Sequence, residues 1–332
     1  MSPLAIMGAG GWGTALAITM ARAGREVRLW AYEPYLVETM IATRENPLYL
    51  PSIRVPDSVL VSNSMQDVLA GSRIVIMAVP SHVYRHVFSQ MLPLLDADMF
   101  FVSAAKGIEN ESLMRMSEVV ADVARPRFVP QVAAISGPTF APEVARGEPT
   151  ALVVASPEEK LRVFLQQELS VPRFRLYTNA DLIGVEIAAA VKNIIAIAAG
   201  VVDGLGLGSN PVAALITRGL AEMTRLVVAC GGRRETLSGL AGLGDLVLTS
   251  YGGLSRNRRV GIALGQGKNI DEVLSSMRMV AEGVKTVKST VALAGKLNVE
   301  MPIAQKMYSV LYEGLSPHAA INDLMERKLK EE

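Results

Sequence analysis

Leu4-Ala5-Ile6-Met7-Gly8-Ala9-Gly10-Gly11-Trp12-Gly13 decides how the first half of the chain is read. Four apolar residues make a short strand, and glycines at 8, 10 and 13 follow at once in the G-x-G-x-x-G spacing. A helix is expected from Thr14 to Ala23, stopped by Gly24, and Val27-Arg28-Leu29-Trp30 reads as a second strand. In that strand–turn–helix–strand frame each glycine has a task. Gly8 permits the tight turn, Gly10 lets a pyrophosphate approach the backbone, and Gly13 lets the helix pack close to the strand. The helix N-terminus offers unpaired N–H groups and the positive end of its dipole to phosphate. The opening therefore reads as a dinucleotide site.

The end of the second strand, Ala31-Tyr32-Glu33-Pro34, is where such sites distinguish NAD from NADP. Glu33 lies about 20 residues beyond the glycine turn, where an acid binds the adenosine ribose hydroxyls. No arginine occupies 31–34 to pair with a 2′-phosphate, so NAD is favoured over NADP; a solvated turn capped by Glu33 is the structural alternative.

Two continuous apolar runs, 73–79 and 99–105, read as parallel strands covered on both faces, with helical patterns between them. Their carboxyl ends lead to Ser81 and Lys106, the side of such a sheet on which ligands bind. After a helix near 113–123, the segments 132–136, 151–155 and 174–177 look like strands extending the sheet. Ser136-Gly137-Pro138-Thr139 closes one of them, either as part of the binding crevice or as a turn shaping the sheet edge.

Strand signals fade after Asn179-Ala180-Asp181, and helical runs dominate from there. The division expected is a dinucleotide-binding domain over 1–180 and a helical substrate-binding domain over 181–332. Residues 184–199 read as one helix that is apolar nearly all round, hence buried, yet Lys192 and Asn193 sit in its middle. A buried, unpartnered ammonium is costly, so either Lys192 snorkels to water or the helix lines a polar cavity where a titratable amine is useful. Further on, Gly242-Leu243-Gly244-Asp245 and Ser255-Arg256-Asn257-Arg258-Arg259 form a polar cluster. The Arg256 fork with the Asn257 amide suits a phosphate, while Arg258 and Arg259 read as solvated helix charges. Asp245 either caps a helix or orients a nearby ammonium.

Length and composition bound the class. With 332 residues, half of them hydrophobic, two cores are the natural expectation. The net charge of +1, evenly mixed, offers no basic stripe for nucleic acid. Cys230 is the sole cysteine, which leaves no intrachain disulfide framework and fits a reducing compartment. His82, His86 and His318 make no ligand cluster with it, so no metal is expected. The N-terminus lacks the pattern of a signal peptide, and charges interrupt the long apolar helix. A cytoplasmic protein without a transmembrane segment is the expectation.

Taken together, the glycine turn 8–13, Ser103-Ala104-Ala105-Lys106-Gly107-Ile108-Glu109, Ser136-Gly137-Pro138-Thr139-Phe140-Ala141, Val191-Lys192-Asn193, Gly242-Leu243-Gly244-Asp245, Ser255-Arg256-Asn257 and Glu282-Gly283 resemble, in order, the motifs of the bacterial glycerol-3-phosphate dehydrogenase family. The resemblance covers essentially the whole chain. It implies an α/β Rossmann-like N-terminal domain with a mostly parallel sheet, an all-helical C-terminal domain, and an active site at their junction. It also implies reversible hydride transfer between sn-glycerol 3-phosphate and dihydroxyacetone phosphate with NAD or NADP, supplying phospholipid synthesis, and a homodimer.

By family position, Lys192 is the general acid/base, with a pKa expected to be lowered by desolvation beside Lys106. Lys106 polarises the substrate carbonyl, and Asp245 orients the lysine and the substrate. Arg256 and Asn257 take the phosphate, and Gly137, Thr139 and Ser255 are lesser contacts. Gly8, Gly10, Gly11, Trp12, Gly13, Tyr32, Glu33, Tyr49, Lys106, Ala141, Arg256, Val280 and Glu282 are implied for the cofactor. Many bacterial members carry a basic residue near 32 or 33; Tyr32-Glu33 departs from that pattern and again favours NAD. The rivals are a related two-domain dehydrogenase of 3-hydroxy or sugar acids, and a non-catalytic redox-sensing dinucleotide binder. The two lysines and Asp245 argue against the sensor, because it has no need of proton chemistry.

Overall fold

In a computed structural model, residues 2–277, 281–329 and 331 are described. The chain divides into two compact units, Met1–Lys106 with Met114–Glu186, and Gly107–Leu113 with Ile187–Glu332.

The first unit is built on strands β1 (Leu4–Met7), β2 (Val27–Trp30), β3 (Glu45–Asn46), β4 (Leu50–Arg54), β5 (Val59–Ser62), β6 (Ile74–Met77), β7 (Phe100–Ser103), β8 (Gln131–Ser136), β9 (Thr150–Ala155) and β10 (Phe174–Asn179). Eight of them form one sheet in the order β10-β9-β8-β7-β6-β1-β2-β5, and β3 and β4 form a separate antiparallel pair. All neighbours in the large sheet run parallel except β8 and β9. Helices α1 (Gly11–Arg22), α2 (Pro34–Thr43), α3 (Met65–Leu69), α4 (Ser81–Met91), α5 (Met116–Ala124), α6 (Ala141–Arg146) and α7 (Glu159–Leu169) accompany the strands.

The unbroken apolar runs of β1, β6 and β7 follow from burial on both faces. Leu4, Ile6, Ile74, Ile76, Phe100 and Val102 point into one core, while Ala5, Met7, Val75, Met77 and Phe101 point into another. The expected strand β2 has the bounds read from the sequence. Helix α1, however, starts at Gly11 rather than Thr14, because Gly11 and Gly13 already take up its first turn. The β3–β4 pair and β5 carried no comparable signal: β4 is a mostly exposed five-residue strand, and β5 alternates buried and partly exposed residues.

The second unit holds most of α8 (Leu182–Gly204), then α9 (Ser209–Ala229), α10 (Asp245–Tyr251), α11 (Arg256–Gly265), α12 (Ile270–Ser275), α13 (Glu282–Lys296), α14 (Pro302–Tyr312) and α15 (Pro317–Met325). Asp181 caps α8 through its carboxylate, which accepts from the Gly184 N–H at 2.8 Å. By length and composition α8 could cross a membrane, yet every residue of its most apolar window is buried inside the protein. It is a core helix.

Candidate functional site

The turn after β1 has the geometry a dinucleotide needs. Gly8 has φ +118°, and a side chain there would strike Val79 and the Ala78 backbone. A Cβ on Gly13 would lie 1.9 Å from the Gly8 carbonyl, so α1 approaches β1 as closely as backbones can. Gly10, by contrast, faces open space. It is the N-cap of α1 and supplies no side chain to the orphan N–H groups, and no acid occupies the first turn. Trp12, on that turn, leaves its buried indole N–H unpaired among the described residues. These features fit an anionic dinucleotide at the helix N-terminus.

Two further residues border the turn. The Tyr49 carbonyl and the Ala141 methyl lie 2.8 and 3.7 Å from where a Gly11 side chain would stand. At the end of β2, Glu33 does not cap α2 with its side chain; its Oε1 instead accepts from the Tyr49 hydroxyl at 2.8 Å. Burial, and then the Glu33 carboxylate, push the Tyr49 phenol up to about 12, so it remains a donor at neutral pH. Tyr32 is 74% exposed, its ring edge-on to Trp30. Beyond β7 and β8, Lys106 Nζ and Thr139 Oγ1 both donate to the Gly137 carbonyl, at 3.2 and 3.1 Å. Gly137 has φ +154°, and a Cβ would meet Leu152 at 2.8 Å.

In the second unit the apolar helix resolves its own paradox. Lys192 is 4% exposed, and its Nζ donates to Asp245 Oδ1 at 2.8 Å and to Thr249 Oγ1 at 2.6 Å. Thr249 in turn donates to the Asp245 carbonyl one helical turn earlier. The carboxylate arrives there through a π-turn, Leu240–Gly244, at which Gly242 approaches the Leu237 backbone too closely for any side chain. Asp245 is thus the first residue of α10, with Gly244 at the N-cap position. Buried charge, counter-charge and hydroxyl form one satisfied cluster.

The neighbouring residue is also engaged. Asn193 Oδ1 accepts from Asn257 Nδ2 at 2.9 Å, and Asn257 Oδ1 accepts from the Gly283 N–H at 3.0 Å. This bridge fixes the N-terminus of α11, whose N-cap Ser255 accepts from Arg258 N–H. Arg256 is exposed at that end, and α11 has no acid in its first turn. A helix N-terminus joined to an exposed guanidinium is a place for a phosphate. Arg258 pairs with Asp203 instead.

The family description "NAD-dependent glycerol-3-phosphate dehydrogenase N-terminus" matches residues 3–162, and its C-terminus counterpart matches 181–322. The chain belongs to this family. It is 56% identical over 329 residues to a glycerol-3-phosphate dehydrogenase (NAD(P)+) of Koribacter versatilis strain Ellin345, spanning 98% of both chains. A second relative, of the same name from Citrifermentans bemidjiense, is 50% identical over 99% of this chain and 98% of its own. The crystal structure of glycerol-3-phosphate dehydrogenase from Coxiella burnetii superposes with a TM-score of 0.94 at 44% identity, covering 98% of this chain and 99% of that one.

For a chain of this family, the structure groups Gly8, Gly10, Gly11, Trp12, Gly13, Glu33, Tyr49 and Ala141 around one turn, with Tyr32 beside Glu33. Lys106, Gly137 and Thr139 make a second group, Lys192 and Asp245 a third, and Ser255, Arg256, Asn257 and Glu282 a fourth. Val280 lies outside the described residues. Sequence reasoning did not find Thr249 or Asn193 as partners, nor Asn46. Thr249 carried a faint signal, being four residues beyond Asp245 and so on the same helix face. Among the described residues no three His, Cys, Asp or Glu side chains gather as a metal-holding group.

Proposed function

We propose that this protein catalyses reversible hydride transfer between sn-glycerol 3-phosphate and dihydroxyacetone phosphate with a nicotinamide cofactor. The observation that carries the reading is the buried Lys192–Asp245–Thr249 cluster, one residue along α8 from the Asn193–Asn257 bridge that fixes the N-terminus of α11. The division of labour follows residues 1–180 for the cofactor and 181–332 for the substrate.

The cofactor, when bound, supplies or receives the hydride at C2. Lys192 handles the matching proton: in the reducing direction its ammonium delivers one to the C2 oxygen, and in oxidation its amine takes the hydroxyl proton. Asp245 and Thr249 hold Nζ in place, which spares the reaction the entropy of orienting a four-carbon side chain. Lys106, close to Gly137 and Thr139, adds positive charge toward the carbonyl oxygen. Arg256 and the first N–H groups of α11 hold the phosphate. The Asn257 side chain, committed to Asn193 and Gly283, serves mainly to fix that helix end.

Glu33 favours NAD(H) over NADP(H), because a 2′-phosphate would meet a carboxylate. Family resemblance adds a cytoplasmic homodimer that supplies glycerol 3-phosphate for phospholipid synthesis; sedimentation of the purified protein tests the dimer. The decisive assay follows the absorbance of reduced cofactor with dihydroxyacetone phosphate. NADH should be oxidised faster than NADPH. A folded sample that oxidises neither overturns the enzymatic reading, and faster NADPH oxidation overturns the role given to Glu33.

A further inference from the structure

Asn46 is a fully buried polar side chain in the first unit that the proposed mechanism does not use. Asn46 lies on β3, and its amide satisfies three groups at once. Its Nδ2 donates to the Ala9 carbonyl inside the glycine turn and to Thr14 Oγ1 on α1, both at 2.8 Å. Its Oδ1 accepts from the Tyr49 N–H at 3.0 Å. The Tyr49 carbonyl packs against Gly11, where any larger residue would collide with it. At the other end of Tyr49, the hydroxyl holds Glu33. A continuous hydrogen-bonded path therefore runs from the phosphate turn to the acid at the end of β2.

We propose that Tyr49 is a positioning residue for cofactor choice: its hydroxyl fixes the Glu33 carboxylate toward the adenosine ribose, and Asn46 ties that pair to the phosphate turn. The inference rests on the reading of Glu33 as the group that selects NAD. A glutamate has three rotatable bonds, and one at the start of a helix can swing away from an incoming 2′-phosphate. With one oxygen held by Tyr49, that escape is closed. The second oxygen keeps its geometry for a ribose hydroxyl, and the charge stays where a phosphate would have to sit. Discrimination then comes from a pinned like charge as well as from an attractive hydrogen bond.

The test uses the intact protein and calorimetric titration with ADP-ribose and with its 2′-phosphate, which carry the adenosine end and no reacting ring. The wild type should prefer ADP-ribose by about tenfold or more, the scale of one like-charge contact near a surface. Tyr49→Phe removes a single oxygen and should narrow that ratio by roughly three- to tenfold, a part of the roughly 10- to 100-fold carried by one hydrogen bond to a charged group, because the carboxylate is released rather than removed. Glu33→Asp, which keeps the charge but shortens its reach to Tyr49, should narrow the ratio in the same direction. It gives an independent reading if Tyr49→Phe folds poorly. Wild-type ratios in both variants, or equal weakening of both probes, overturn the proposal. Glu33→Gln separates the two layers: if it too leaves the ratio unchanged, the underlying reading of Glu33 fails rather than its positioning. A folded Asn46→Ala protein with the wild-type ratio removes Asn46 from the proposal.

Discussion

Lys192 is tolerable inside an apolar helix because its ammonium meets a carboxylate and a hydroxyl as soon as it leaves water. Lys192→Ala should lower kcat by roughly 10²–10⁴ while cofactor affinity is kept, the range associated with a lost general acid/base. Near-normal turnover would return the lysine to a structural role. Thr249→Val keeps the shape and removes one acceptor from the ammonium; kcat should fall by about 10- to 100-fold, the rate equivalent of one charged hydrogen bond.

A second buried ion obeys a different balance. Glu222 on α9 accepts from the N–H groups of Ile303 and Ala304 at 2.7 and 3.3 Å, and so caps α14, whose own N-cap residue Met301 supplies no side-chain bond. Desolvation outweighs those bonds and the charges of Arg225 and Arg327, and the Glu222 carboxyl is pushed up to about 7. A carboxyl with a raised folded pKa contributes stability that is complete below the unfolded value of about 4.3 and is lost as pH rises through about 7. The wild type should therefore lose stability relative to Glu222→Gln, a permanently neutral isostere, between about pH 4.5 and 8. A shift of this size corresponds to about 3 kcal/mol. Urea unfolding of both proteins across that range measures it; a constant difference would refute the assignment.

At the scale of elements, Lys192 and the N-terminal end of α11 are held in register by a backbone-to-backbone helix contact. Gly200 and Gly204 of α8 face Gly261 and Gly265 of α11, and a Cβ on Gly261 would lie 1.9 Å from the Ile197 carbonyl. Lys192 and Asn193 lie about two turns before this crossing on α8, while Asn257 lies one turn before it on α11. Gly261→Ala must push the helices apart; it should cost about 1–3 kcal/mol of stability and raise KM for the substrate while leaving NADH affinity unchanged. Unfolding and steady-state kinetics on one preparation separate these effects, and a normal KM in a destabilised variant would show the crossing to be structural only. Neither this contact nor Asn46 was legible in the sequence. Periodicity reports which face of an element is apolar, so β1, β6, β7 and the apolar α8 could be read directly. The partner of a small or polar residue is set by chain segments far away: Gly261 meets Ile197, and Asn46 meets Ala9. The glycine turn was legible because its whole mechanism is local, and Lys192 stood out because its charge contradicts its surroundings.

At the scale of the molecule, one helix is shared by both units: α8 begins in the first, at Leu182, and carries Lys192 in the second. The groups proposed for a dinucleotide lie mainly in the first unit, and those proposed for a phosphorylated polyol lie mainly in the second. Such a split predicts separable footprints in hydrogen exchange. ADP-ribose should slow exchange at the amides of Gly10, Gly11, Trp12 and Tyr49, and glycerol 3-phosphate should slow it at Arg256 and Asn257. At a ligand concentration 100 times Kd, binding to the native state alone adds ~2.7 kcal/mol, so amides that exchange only through opening of the bound site should slow by about 100-fold. Because each footprint is read with one ligand at a time, the experiment tests the two assignments independently. ADP-ribose protection confined to α11 would reject the cofactor assignment. Glycerol 3-phosphate protection absent from α11 would reject the phosphate site while leaving the dinucleotide turn intact.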